Sequence, residues 1–403
     1  GAGFMGAGIT SVAVQHGTIV RLKDTDLARV GKGLAAVRGV LKERLDRKQI
    51  TRPQFDDMMT LAGGAVDDTG LGNVDLLIEA VFEDLDLKHK VLGAVEDKLP
   101  PRAVIASNTS TIPIRKVAAG LKHPERVLGM HFFSPVHKMP LLEVIITPET
   151  SPQATVTAVA YGRALGKTVI VVNDGPGFYT TRILTAYMNE AGHLLDQGVP
   201  VETLDDALIA FGFPVGPITL MDEVGLDIGG KVGKTMFESF GERMKPADGV
   251  RRVVESGRLG RKGRSGFYLY DAAGKKAGVD PSVNTIILGT ERASDPNAKP
   301  PEIGIDEIVD RCVMAMVNEA ARCLEEGILR SPRDGDIGAV FGLGWPPFRG
   351  GPFRYVDALG IDEVMHQLDT FDGRFPERFK PATSLIEMSR LRTRFYPPDG
   401  RQV

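Results

Sequence analysis

Apolar positions in the first 173 residues fall into two patterns that alternate along the chain. One recurs every three or four residues, as at Ile9, Val12 and Ala13, which is the period of a helix with one buried face. The other is near-continuous: Val74-Asp-Leu-Leu-Ile-Glu-Ala-Val81 reads as a parallel strand covered on both sides. Residues 18–22, 103–108 and 168–172 read as strands of the same sheet. Between them lie helical patterns, rich in Lys and Arg over residues 25–62, with another starting at Glu83 and Asp84. Strands alternating with helices predict a doubly wound α/β domain over residues 1–173.

Residues 130–146 break this rhythm, because two apolar runs flank a turn region held by Pro135 and Pro140. His131 and Glu143 lie equally far from the turn centre at His137. If the runs pair antiparallel, the imidazole and the carboxylate become cross-strand neighbours. A carboxylate on one ring nitrogen makes the other a better base. The pair is a candidate for proton transfer, and a structural ion pair is the alternative.

From residue 178 the pattern is helical. A long helix spans residues 178–197 and closes at Gly198. The run Gly212-Phe-Pro-Val-Gly-Pro217 breaks the next, and Gly260-Arg-Lys-Gly-Arg-Ser-Gly-Phe-Tyr leads into a short strand. The pattern then repeats about 130 residues on: Met188-Asn-Glu-Ala191 returns as Val317-Asn-Glu-Ala320, and Gly198 as Gly327. Asp222-Glu-Val-Gly-Leu is echoed by Val356-Asp-Ala-Leu-Gly360. Two copies predict duplicated all-α domains, 174–290 and 305–403, joined by a Pro-rich linker over residues 290–304. The second copy carries no evident catalytic set and reads as packing.

Composition narrows the classes. An apolar share of 42% and a net charge of −3 over 403 residues describe a globular protein with no reason to bind nucleic acid. No apolar run approaches the roughly 20 residues of a membrane helix, and no signal peptide opens the sequence. Cys312 and Cys323, too far apart on one helix to bond, fit a reducing compartment. The histidines show no metal-ligand spacing.

The opening Gly1-Ala-Gly3-Phe4-Met5-Gly6 is a Gly-x-Gly-x-x-Gly before a helix, with Asp24 at the end of the following strand. Such glycines let a backbone approach a pyrophosphate, and an acidic residue at that distance bonds a ribose hydroxyl and favours NAD over NADP. The strand that should lead into the turn is not in the sequence, so the sequence is expected to begin inside a longer chain. Polar residues at the end of the strand at 103–108, Thr109-Ser110-Thr111, lie where open α/β sheets place ligands, or else cap a helix near Ile114.

Together with Ile78-Glu-Ala-Val-Phe-Glu-Asp84, Ala106-Ser-Asn-Thr-Ser110, His131-Phe-Phe-Ser-Pro135, Asp174-Gly-Pro-Gly-Phe178 and Gly260-Arg-Lys262, these motifs resemble the L-3-hydroxyacyl-CoA dehydrogenases over essentially the whole chain. The duplicated helical part is most similar to the α-subunits of the fatty-acid oxidation complex and of the mitochondrial trifunctional protein. The resemblance implies a Rossmann-type NAD-binding domain followed by two dehydrogenase C-terminal domains. It implies NAD-dependent oxidation of a fatty L-3-hydroxyacyl-CoA. By position, His131 matches the catalytic base, Glu143 its partner and Ser110 a hydroxyl on the substrate's 3-oxygen. Gly1, Gly3, Phe4, Met5, Gly6 and Asp24 match the NAD turn, and Glu83, Lys88, Ser134 and Lys262 match residues lining the cofactor. Thr181 stands where stand-alone members carry Asn in contact with substrate. A preceding enoyl-CoA hydratase region, a thiolase β-subunit, self-association, and a bacterial cytoplasmic or mitochondrial matrix location are also implied. The basic stretch Lys42, Arg44, Arg47, Lys48 reads as a solvated face or as a contact for CoA phosphates.

Two other readings compete. A dehydrogenase of the 6-phosphogluconate type uses a lysine in its helical domain, whereas the His131–Glu143 pair lies in the nucleotide-binding half. A protein that binds NAD without turnover would have no need of His131, Glu143 and Ser110 together.

Overall fold

The computed structural model describes residues 1–289 and 302–397. It divides into two compact units, Gly1–Phe178 and Tyr179–Val403. Most of the expected linker, residues 290–301, and the tail 398–403 lie outside the described residues.

In the first unit, helix α1 (Phe4–Gln15) precedes strand β1 (Val20–Lys23). Helices α2 (Leu27–Asp46) and α3 (Arg52–Thr60) follow, and then strand β2 (Ala62–Ala65), which pairs parallel to β1 as a separate two-stranded sheet. The sequence reading extends helix to residue 62 and misses β2, since Ala-Gly-Gly-Ala has neither strand propensity nor apolar alternation. The glycine is there for space: a Cβ on Gly64 would stand 2.4 Å from a methyl of Val30 on α2.

A five-stranded sheet runs in the order β3 (Leu76–Glu79), β4 (Val104–Ser107), β5 (Val127–Phe132), β6 (Leu141–Ile146), β7 (Thr168–Asn173). Every pair is parallel except β5–β6. Helices α4 (Leu85–Glu96), α5 (Ile114–Ala118) and α6 (Pro152–Ala164) connect the strands. Ile9, Val12 and Ala13 of α1 pack with Val104, Leu128, Met130, Leu142 and Val144 in the core. Leu76, Leu77 and Ile78, expected to be covered on both faces, are only half-buried, because β3 has a bonded neighbour on one side alone.

The second unit carries the repeat. Helices α7 (Thr180–Gln197), α8 (Val201–Phe211), α9 (Pro217–Val224), α10 (Leu226–Phe240) and α11 (Asp248–Glu255) precede a hairpin of β8 (Tyr268–Tyr270) and β9 (Lys276–Val279) and a short α12 (Val283–Leu288). Helices α13 (Ile305–Glu325), α14 (Pro332–Leu343), α15 (Pro352–Leu359), α16 (Ile361–Arg374) and α17 (Thr383–Leu391) follow. The carboxylates that tie each copy's helices to its last segment correspond. Asp205 accepts the Ile218 amide of α9 and the Tyr268 hydroxyl, both at 2.8 Å. Asp336 accepts the Phe353 amide of α15 at 2.8 Å and the Tyr396 hydroxyl at 2.6 Å. Asp222 holds the amides of Phe267 and Tyr268, as Asp357 holds those of Phe395 and Tyr396.

The two copies lie within one compact unit. The cause is a reciprocal exchange between α7 and α13. Arg182 bonds Glu319 and Glu326 of the second copy, stacked 4.4 Å from the Phe240 ring. Arg311 bonds Glu190 and Gln197 of the first, stacked 4.3 Å from Phe375. Both arginine side chains are essentially inaccessible to solvent. Cys312 and Cys323 lie buried and unbonded to each other on α13.

Candidate active site

The antiparallel register of β5 and β6 sets His131 directly opposite Glu143. Nδ1 of His131 lies 3.0 Å from Oε2 of Glu143. Glu143 is wholly buried and His131 is 8% exposed. An ionised carboxylate only accepts, so Nδ1 carries the proton and Nε2 keeps its lone pair. The Phe133 ring at 4.5 Å and the Phe178 ring at 6.2 Å wall the imidazole. The amide of Phe132 donates to Oδ1 of Asn108, at the end of β4, at 2.9 Å.

The loop after β4 answers the question left at Thr109-Ser110-Thr111. Helix α5 is not capped by these residues: Asp174 reaches from the end of β7 and accepts the amides of Ile114 and Arg115 at 2.6 and 3.1 Å. Glu83 gathers the loop instead. Its Oε1 lies 2.6 Å from the Thr109 hydroxyl, 3.0 and 3.1 Å from the amides of Ser110 and Thr111, and 3.1 Å from the Thr111 hydroxyl. The Ser110 hydroxyl stands farther off, at 3.4 Å. More donors converge on Oε1 than its lone pairs accept, so that hydroxyl is the one freest to turn to another oxygen. Burial works to raise the Glu83 carboxyl, but Lys88, the Thr109 hydroxyl and the two amides outweigh it and hold it below the ordinary carboxylate range.

Lys88, expected to line the cofactor, is completely buried. Its Nζ lies 3.0 and 2.9 Å from the two oxygens of Glu79 and 3.5 Å from Glu83. It acts on the site's surface only through Glu83. Ser134 is exposed on the turn that follows β5. Thr181 and Lys262 belong to the second unit. Thr181 lies in the first turn of α7, and Lys262 pairs there with Asp227.

The glycine turn joins the ends of β1 and β3. The amide of Ala2 donates to Asp24 at 2.7 Å, and a Cβ on Gly1 would stand 2.5 Å from the Ala80 carbonyl oxygen. A Cβ on Gly6 would overlap the Gly1 oxygen at 1.9 Å, so any side chain there closes the turn. Around Gly3 there is open space. Gly3 caps α1 without a side-chain bond, and Phe4 beside it is 72% exposed. An open helix N-terminus of this kind suits a pyrophosphate. Burial works to raise Asp24, yet the amides of Ala2 and Thr25 prevail and hold it low. An ionised Asp24 accepts a ribose hydroxyl and repels a 2′-phosphate, so the residues present fit NAD.

The family model described as 3-hydroxyacyl-CoA dehydrogenase, NAD binding domain, matches residues 1–175, and the model of the C-terminal domain of the same enzymes matches residues 177–270 and 308–395. The chain belongs to the 3-hydroxyacyl-CoA dehydrogenase family. NAD is the cofactor of this family's nucleotide-binding domain. The fatty acid oxidation complex subunit alpha of Shewanella loihica is 46% identical over 397 residues, 98% of this chain and 55% of that protein. The chain thus spans about half the length of the curated relatives it matches. A crystal structure of 3-hydroxybutyryl-CoA dehydrogenase from Escherichia coli aligns over 97% of both chains with a TM-score of 0.84 at 25% identity. The dehydrogenase part of multifunctional enzyme 1 from C. elegans aligns over 96% of this chain and 87% of its own, with a TM-score of 0.66 at 25% identity.

Four residues around the candidate site stand inside the quoted motifs but are given no role of their own by the sequence: Glu79, Ser107, Asn108 and Asp174. For Glu79 a signal existed, since a lone carboxylate ending a buried apolar run needs a cation or donors. Asn108 and Ser107 carry no such mark.

Proposed function

We propose that this chain oxidises the 3-hydroxyl of a fatty L-3-hydroxyacyl-CoA to the 3-ketone. The observation that carries the reading is the buried His131–Glu143 pair on neighbouring strands. Bound NAD supplies the acceptor for the hydride that leaves carbon 3. Nε2 of His131 takes the hydroxyl proton, and Glu143 stabilises the imidazolium without itself being protonated. The Ser110 hydroxyl holds the substrate oxygen in line with Nε2. In the reverse direction protonated His131 returns the proton to the forming alcohol. The turn of Gly1, Gly3 and Gly6 with Asp24 would hold the dinucleotide, with Phe4, Met5, Glu83 and Ser134 lining it. The roles of Thr181 at the substrate and Lys262 at the cofactor rest on the motif match alone.

A cavity of about 360 Å³ in the first unit supports a CoA substrate. Arg44, Arg47, His137 and Lys138 line it together with Glu43, which pairs with Arg47 at 2.7 Å, and the stretch that contains Arg44 and Arg47 otherwise reads as a plain solvated face. Burial, with Lys138 beside it, lowers the His137 pKa, so the cationic character there comes from the arginines and the lysine.

The relatives' name supports a place in fatty-acid oxidation. We extend the reading to an enoyl-CoA hydratase region on the same polypeptide, a thiolase partner and self-association, in bacterial cytoplasm or mitochondrial matrix. Among the described residues no helix is long and apolar enough to cross a membrane, and no cluster of three His, Cys, Asp or Glu stands ready for a metal.

The deciding experiment follows NADH absorbance with acetoacetyl-CoA and with a long-chain 3-ketoacyl-CoA. Rapid NADH loss with either is expected, and the ratio reports chain-length preference. NAD binding without any turnover would leave a nucleotide-binding protein in place of an enzyme.

A further inference from the structure

Beneath the site lies a pair that the chemistry above leaves unused. Glu79 ends β3 and is 3% exposed. It accepts the Ser107 hydroxyl and the Val81 amide, each at 2.6 Å, and it holds Lys88 with both oxygens. Lys88 in turn reaches Glu83, and Glu83 gathers the loop that carries Ser110. The backbone oxygen of Glu79 accepts the Asn108 amide at 2.8 Å, and Asn108 holds the amide next to His131. Two strand ends therefore meet at one carboxylate, and β5 is tied to the same residue through its backbone oxygen. A buried ammonium stripped of its partner is strongly unfavourable, so the position of Lys88 is dictated by Glu79. Without Glu79, Lys88 would close on Glu83, the remaining anion within reach, and draw it off the Ser110 loop.

We propose that Glu79 is a positioning residue for the oxidation: with Ser107 it fixes Lys88, Lys88 fixes Glu83, and Glu83 sets the Ser110 hydroxyl in line with His131. The proposal rests on the dehydrogenase reading above. A merely structural Glu79 would lower stability alike whether or not Ser110 is present, whereas a positioning one loses its effect once the hydroxyl it places is gone.

The test is a double-mutant cycle in kcat with acetoacetyl-CoA, with KM for NADH and Tm measured beside it. Glu79→Gln is expected to lower kcat about 10–100-fold, the scale of a misplaced catalytic group, with a smaller change in KM for NADH. In a Ser110→Ala background the same change is expected to alter kcat less than about threefold, the coupling signature of groups acting through one another. Ser107→Ala leaves every charge in place and should give a weaker version of the same pattern, which keeps the test open if Glu79→Gln does not fold. Equal fold-losses in both backgrounds overturn the proposal and leave the enzyme reading standing. Wild-type turnover in Ser110→Ala removes Ser110 from the chemistry and overturns the proposal alone, whereas no turnover in the unsubstituted chain overturns the dehydrogenase reading and the proposal with it.

Discussion

His131 has one ring nitrogen committed to Glu143, and the proposed chemistry falls to the other. Replacing His131 with Gln removes the base, and replacing Glu143 with Gln removes the charge that stabilises the imidazolium. Either change should lower kcat by about 10²–10⁴-fold, the usual worth of a positioned general base. NAD affinity, followed by fluorescence titration, should stay within a few-fold in both variants, and full turnover in either one would refute the assignment. Asp24 has a different role at the same scale. It is held ionised by the Ala2 and Thr25 amides, and in the proposed site it would repel a 2′-phosphate. Asp24→Ala should narrow the preference for NAD over NADP by on the order of tenfold, roughly 1.4 kcal/mol. Comparing kcat/KM for the two cofactors checks it, and an unchanged ratio would remove Asp24 from the selection.

Helix α15 shows how an element can depend on one buried carboxyl. Asp336 caps it through the Phe353 amide and takes the Tyr396 hydroxyl. Burial is the largest influence and pushes Asp336 up to about 7, against the pull of that hydroxyl, the amides and Arg354. A carboxyl whose pKa is higher folded than unfolded contributes stability that is complete below its ordinary value of 3.8 and is lost as pH rises through about 7. Tm should carry a downward slope across that window, and Asp336→Asn, which keeps the acceptor oxygen, should flatten it. A slope unchanged by the substitution would show Asp336 to be ionised throughout. The elements themselves were mostly legible in the sequence. Long periodic helices and apolar strands announce themselves, and the equal spacing of His131 and Glu143 about His137 gave their pairing. What sequence could not give was set by contacts far along the chain. Strand β2 lies close against α2, where Gly64 leaves room for Val30, and the Thr109–Thr111 loop is gathered by Glu83 while Asp174, 60 residues from Ile114, caps α5. Lys88 reads from its motif as a residue of the cofactor site, yet the exposure of a lysine depends on where Glu79 lies.

At the scale of the helical unit, the reciprocal ion pairs lock the repeats together. Arg311 is inaccessible and bonded to Glu190, which also holds Arg378 at 3.0 Å. Arg311→Ala leaves a buried carboxylate short of a cation and should destabilise the unit by about 3–5 kcal/mol in denaturant unfolding. Replacing Arg311 and Glu190 together with Met should recover part of that loss, the remainder being the loss of Glu190 from Arg378. A double variant as unstable as the single one would mean that packing, not charge, joins the copies.

The same exchange has a consequence for how the molecule can diverge. Two identical subunits meeting across a two-fold axis must repeat every residue, so any change at such an interface is made twice. Here both faces are written separately in one polypeptide. Arg182 meets Glu326, while the corresponding place opposite Arg311 holds the neutral Gln197, and Glu307 of α13 lies 3.5 Å from Arg311 instead. Each face is free to drift alone, so one copy can be tuned for chemistry while its twin is kept as the surface it leans on.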